Sequence, residues 1–255
     1  MDKLNYLLKY LLSENLEYRN IAIPESTDDR FALFRSLVNI RAPKPISEEY
    51  LAAEDEFLRE ITAQKGITDY RDLTPVKPRV YLWRGDITTL KCGAVVNAAN
   101  SGMLGCFCPC HGCIDNAIHT FAGVRLRMEC AEIMRRQGFE EPVGQAKVTG
   151  AYALPCEKII HTVGPCVGGK LTEQHREALK RCYISCLEAA VQNNISSIAF
   201  CCISTGEFHF PNENAAETAV RTVFDFLQSN RDIEVIFNVF KNEDFQIYKR
   251  LLGAD

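Results

Sequence analysis

Four cysteines and a histidine fall within eight residues, Cys106-Phe-Cys108-Pro-Cys110-His111-Gly-Cys113. Thiols crowded this closely, with an imidazole among them, suit metal binding better than disulfide pairing, since sulfur and imidazole nitrogen are the usual ligands of zinc. The chain carries 12 cysteines in 255 residues. It is far longer than the small secreted domains that rely on disulfide frameworks, and its first residues lack the core of a secretion signal. The other eight cysteines are scattered. Cys182 and Cys186 stand four apart in a helical pattern, and Cys201 and Cys202 lie in an apolar run, so they are expected as buried small hydrophobes.

Three further loops carry usable groups. Arg84-Gly-Asp86-Ile87-Thr88 offers a carboxylate acceptor, and Asn97-Ala-Ala-Asn100 offers amides that both donate and accept. Ile203-Ser204-Thr205-Gly206-Glu207-Phe208 combines two hydroxyls with a glycine that lets the backbone approach an anion. Each loop alone has an ordinary reading as well: a surface turn, an asparagine turn, and a cap for the helix that follows. Gly164-Pro-Cys-Val-Gly-Gly169-Lys170 imitates a phosphate loop, but Leu171 replaces the hydroxyl residue that would hold magnesium and Pro165 removes a backbone donor. No G-x-G-x-x-G, G-x-S-x-G or H-E-x-x-H pattern occurs.

Something must hold these loops in place. Apolar residues at Leu4, Leu7, Leu8, Leu11 and Leu12 predict a first helix, Asp28 to Val38 a second, and Ser47 to about Gln64 a third with Ser47 as its cap. Thr74-Pro-Val-Lys-Pro78 breaks the pattern. Residues 1–75 therefore read as a helical N-terminal extension, and 76–255 as the main domain. In the latter, strands are expected over Arg79–Trp83, Gly93–Ala98, Gln145–Ala153, Lys158–Val163, Ile195–Ile203 and Ile233–Val239. Helices are expected over Ile114–Arg136, Thr172–Gln192, Glu213–Gln228 and Asp244–Leu252. Alternation of this kind implies an α/β fold whose sheet is covered on both faces, with ligand beyond the carboxyl ends of the strands.

Taken together and in order, the four loops resemble the motif series of the macrodomain family across residues 79–252, and the chain is most similar to its zinc-dependent bacterial branch. That resemblance implies a three-layer αβα macrodomain with a mixed central sheet, and an enzyme that removes mono-ADP-ribose from acidic side chains of modified proteins. It implies that Asp86 and Ile87 receive adenine, and that Asn100 contacts the distal ribose while Asn97 supports it. Cys113, Ile114, Asp115 and Asn116 would give amides to one phosphate, and Ser204, Thr205, Gly206, Glu207 and Phe208 would form the second phosphate loop. One zinc ion would be held by Cys106, His111 and Cys113, with Asn100, Cys113 and Asp115 catalytic.

Alternatives stay open on the residues themselves. Asp86 could be a helix cap, Phe208 a core aromatic, and Cys108 or Cys110 could complete a purely structural four-ligand zinc site. His119 is expected to pack in the interior. A reader module that binds ADP-ribose without cutting, or a deacetylase of O-acetyl-ADP-ribose, would use the same loops. The resemblance also points to a lipoyl-carrier-like protein as substrate.

The chain is 47% hydrophobic and 24% charged, with a net charge of -4, so it lacks the basic excess of a nucleic-acid partner. No run reaches the roughly 18 apolar residues of a membrane span, and the expected location is the cytoplasm.

Overall fold

A computed structural model describes residues 2–254. Three helices open the chain: α1 (Lys3–Ser13), α2 (Thr27–Ile40) and α3 (Glu48–Lys65). Their starts are set by short polar side chains. Asp2 accepts from the amide of Leu4, Ser26 from that of Asp29, and Ser47 from that of Tyr50. A two-residue strand, β1 (Thr68–Asp69), follows. Then come β2 (Val80–Arg84), β3 (Leu90–Lys91), β4 (Ala94–Ala99), α4 (Ile114–Ala122), α5 (Val124–Gln137), β5 (Ala146–Gly150) and β6 (Lys158–Val163). The chain ends with α6 (Glu173–Gln192), β7 (Ser197–Phe200), α7 (Asn212–Ser229), β8 (Glu234–Val239) and α8 (Asn242–Leu252).

The main sheet has the order β2-β8-β7-β4-β6-β5. All neighbours are parallel except β5 and β6, so the sheet is mixed. The central strand β4 is apolar throughout but for Asn97, as a strand covered on both faces must be. Helices α6, α7 and α8 pack in series on the sheet, while α4 and α5 contact β4 and β5. Helices α2 and α3 pack in turn on α4. This sandwich explains why seven of the nine residues of α4 are buried, polar ones included.

The expected single helix over Ile114–Arg136 is two helices. Gly123, at φ 89°, ends α4, and a side chain there would place its Cβ 2.8 Å from a Glu54 carboxylate oxygen. That same oxygen accepts from the amide of Val124 at 2.9 Å, so a residue of α3 caps α5. The strand expected over Ile195–Ile203 shortens to Ser197–Phe200, because Cys201 to Ile203 leave the sheet to form the loop at Ser204. No described helix is long and apolar enough to cross a membrane.

Candidate active site

The loop between β4 and α4 brings Cys106, His111 and Cys113 together, their donor atoms all within 4.8 Å of one another. Cys106 Sγ lies 3.5 Å from His111 Nδ1. A tetrahedral zinc with Zn–S of about 2.3 Å and Zn–N of about 2.05 Å would set that separation near ~3.6 Å, so the donor set fits the metal. The other ring nitrogen, His111 Nε2, lies 3.6 Å from Glu207 Oε1. A carboxylate behind a histidine ligand fixes its ring orientation and raises its basicity.

Burial, and then the adjacent Cys106, push the Cys113 thiol up to about 12. A thiol so placed ionises only with a cation beside it, which is what a metal would supply. Cys113 is also the N-cap of α4, its Sγ accepting from the Asn116 amide at 3.4 Å. Cys108 and Cys110 stand outside the cluster and are exposed. Among the described residues, three side-chain donors converge there.

Asn100 and Asp115 adjoin the cluster. Asp115 is 5% exposed. It accepts from Asn97 Nδ2 at 2.8 Å and from Asn100 Nδ2 at 3.3 Å. Burial raises its pKa to about 6, against the opposing effects of Asn97 and Arg127. Asn97 is fully buried and reaches on to His161 Nδ1 at 3.1 Å, whose Nε2 meets Thr149 Oγ1 at 2.9 Å. Burial pushes His161 down to about 3, so it is a neutral ring and a fixed support. Half-buried Asn100 is pinned from both ends: Oδ1 accepts from the Gly102 amide and Nδ2 donates to the Gly105 carbonyl.

His119 packs in the interior near Asp115, with neither ring nitrogen bonded. With Cys130 and His161 it forms a second group of potential ligands. Both His161 nitrogens are already engaged, burial pushes the Cys130 thiol up to about 12, and burial, with a smaller effect of the Arg127 charge, holds His119 well below its usual pKa. The same charge opposes a cation there, and the group is read as core.

Of the amides expected to hold phosphate at α4, those of Ile114 and Asp115 make no bond among the described residues. Asn116 does not join them. Its amide is taken by Cys113, and its fully buried side chain accepts from Arg35 and donates to the Cys108 carbonyl. At the second loop, the amides of Gly206, Glu207 and Phe208 likewise meet no acceptor among the described residues. They do not open a helix: α7 starts at Asn212, one residue before the expected Glu213 and after Pro211. They form a tight loop in which Ser204 takes φ 67°. Thr205 Oγ1 donates to the Cys202 carbonyl, and the Ser204 hydroxyl is buried without a partner. Gly164 allows that packing, since a Cβ there would fall 2.1 Å from Ser204 Oγ. Phe208 is half-buried, while Phe210 takes the core position at 1% exposure.

At the far end, Asp86 does cap a short turn, Ile87–Thr89, through Thr88. Lys65 of α3 also donates to its Oδ2 at 2.9 Å. A carboxylate has lone pairs to spare for an exocyclic amine, and the adjacent Ile87 amide makes no bond among the described residues. Two contributors here were not foreseen. Lys65 lies in the extension, where nothing local marks it. Phe240 follows β8 directly, and β8 pairs with β2 so that Val239 stands beside Arg84 and accepts from the Gly85 amide. Phe240 is 77% exposed, an open aromatic face near the Asp86 loop and suited to stacking on a base. An aromatic directly after an apolar strand was its one sequence signal.

Residues 96–219 match the Macro domain family. A protein-ADP-ribose hydrolase of Treponema medium is 52% identical, with 97% of each chain covered.

The chain belongs to the macrodomain family.

A second protein-ADP-ribose hydrolase, from Staphylococcus aureus (strain MSSA476), is 47% identical over 97% of this chain and 96% of its own. Among solved structures, the Trypanosoma brucei macrodomain in complex with ADP-ribose is similar with a TM-score of 0.65 at 29% identity, covering 90% of this chain and 97% of that one. The mixed sheet flanked by helices is thus the macrodomain architecture. Here the N-terminal helices are part of what the curated relatives share, since coverage extends along almost the whole chain.

Proposed function

We propose that this macrodomain hydrolyses the bond joining mono-ADP-ribose to an acidic side chain of a modified protein, in the cytoplasm and with one zinc ion. The observation that carries the reading is the donor triad Cys106, His111 and Cys113 set against Asn100 and Asp115. Recognition of ADP-ribose alone needs no metal, whereas three protein donors leave a position for substrate or water.

ADP-ribose would lie along the carboxyl ends of the strands. Adenine meets Asp86 and the Ile87 amide, with Phe240 stacked on it. The free amides of Ile114 and Asp115 face one phosphate, and those of Gly206, Glu207 and Phe208 the other, so that the distal ribose reaches Asn100. Zinc bound by the triad would supply Lewis-acid polarisation at the scissile end. With a pKa near 6, Asp115 is largely ionised at neutral pH and accepts the proton of the attacking water. Water oxygen joins the distal ribose carbon, the protein carboxylate departs, and free ADP-ribose results. A lipoyl-carrier-like protein fits the resemblance as substrate.

The test is incubation with a mono-ADP-ribosylated protein before and after chelation and zinc restoration. Release that stops with chelation and returns with zinc is expected. Undiminished release from verified metal-free protein sinks the zinc role, and tight ADP-ribose binding without release identifies a reader instead.

A further inference from the structure

The metal loop is gripped from outside by the N-terminal extension. Arg35 of α2 donates through Nη2 to the His111 carbonyl at 2.8 Å. Its Nη2 and Nε both reach Asn116 Oδ1, at 2.7 and 3.1 Å. Asn116 Nδ2 then donates to the Cys108 carbonyl at 3.0 Å. One turn further along α2, Asn39 accepts from the Cys110 amide at 2.9 Å and donates to Thr120 Oγ1 at 2.9 Å. Asn39 is 1% exposed, so both of its polar ends are committed. Cys110 takes φ 54°, a conformation that an L residue holds only when its surroundings impose it. Arg127 ties the loop's entrance to the same helix, bonding the carbonyls of Leu104 and Val38.

Arg35, Asn39, Asn116 and Arg127 are not metal donors. They fasten backbone at Leu104, Cys108, Cys110 and His111, and so fix where the side chains of Cys106, His111 and Cys113 meet. A loop of this length has no regular structure of its own, and left free it would have to be ordered by the metal at the moment of binding.

We propose that Arg35 and Asn39 are positioning residues for metal: the N-terminal extension pre-forms the Cys106–His111–Cys113 site and thereby sets its zinc affinity. This rests on the reading of that triad as the zinc site. The arginine fork is essential to the idea, because it spans the His111 carbonyl and the Asn116 amide oxygen at once; a lysine ammonium reaches one at a time.

The test measures zinc affinity by competition with a chromophoric chelator on the full chain, for wild type, Arg35→Ala, Arg35→Lys, Asn39→Ala and Cys106→Ser. The visible spectrum of the cobalt-substituted forms is a second readout, since cobalt reports ligand geometry without turnover. Arg30→Ala is the control: Arg30, in the first turn of α2, pairs with Asp2 and makes no hydrogen bond to the loop among the described residues, so its loss loosens the extension. Both Arg35 variants and Asn39→Ala are expected to weaken zinc roughly 10- to 100-fold, the range for groups that orient ligands. Their cobalt bands should shift, while Arg30→Ala keeps wild-type affinity. Wild-type affinity and spectra in both Arg35→Ala and Asn39→Ala, with zinc lost in Cys106→Ser, overturn the positioning role alone. A wild-type chain that holds no zinc overturns both this role and the metal reading beneath it.

Discussion

His111 Nε2 stands 3.6 Å from Glu207 Oε1, so the ring nitrogen turned away from Cys106 faces a carboxylate from the loop after β7. The loop between β4 and α4 and the loop after β7 therefore meet at the Cys106–His111–Cys113 cluster. Glu207→Gln removes the charge and keeps the shape. Zinc should bind about tenfold more weakly in this variant, measured by chelator competition, because a histidine ligand loses the acid behind it. Unchanged affinity would show that Glu207 serves only the phosphate loop.

Asp115→Asn keeps a group of the same size between Asn97 and Asn100. It should lower kcat on the order of 10²-fold or more, the usual contribution of a positioned acid or base, with ADP-ribose binding retained by calorimetry. Asn100→Ala should also lower turnover and leave ADP binding intact, since ADP lacks the distal ribose. Equal losses of ADP and ADP-ribose binding would move Asn100 away from the scissile end.

Phe240→Ala should weaken ADP-ribose and ADP alike, roughly ten- to a hundredfold, by loss of base stacking worth about 1–3 kcal/mol. Ribose 5-phosphate should be unaffected. Calorimetry on the three ligands separates stacking from a general loss of the cleft.

Glu54 is buried and its pKa is raised to about 7, chiefly by desolvation. Unfolded, it titrates near 4.5. The raised value means that its contribution is fully present below about pH 4.5, where both states hold the proton. It is lost as pH rises toward 7, on the order of 3 kcal/mol in all. Glu54→Gln keeps an acceptor for the Val124 amide and a partner for Tyr50. Denaturant titrations from pH 5 to 8 should give a flatter profile in this variant, with a gain in stability at pH 8. A slope equal to wild type would place the titration elsewhere.

The parts of the fold legible beforehand were those with a strong period or a local signal. Lys158–Val163 was read to the residue, and Ser47 is the cap it was expected to be. The loops after β2, β4 and β7 were legible because glycine, asparagine and cysteine cluster there. What escaped depended on distant partners. The break at Gly123 lies in a pattern that suits one continuous helix, and the new start is capped by Glu54, 70 positions before Val124. Asn116 looked like one more amide at a helix start, yet Arg35, 81 positions earlier, makes it a tie for the loop. Lys65 reaches Asp86 from α3, 21 positions earlier, and Phe240 is brought toward that end only by the pairing of β8 with β2. Local reading ranks residues by type and spacing, and such contacts have neither.

The pairing of β2 with β8 has a consequence for how the protein is made. Leu82 stands opposite Phe237, and the two are joined only when the chain is nearly complete. A ribosome that has delivered β4, the Cys106–Cys113 loop and α4 has not yet delivered the strand that pairs with Val80–Arg84, just before Asp86. Nascent chains thus carry the Cys106–Cys113 loop well before the strand that completes the Asp86 end, so the two ends of the cleft form at different times, the latter only with the last strand.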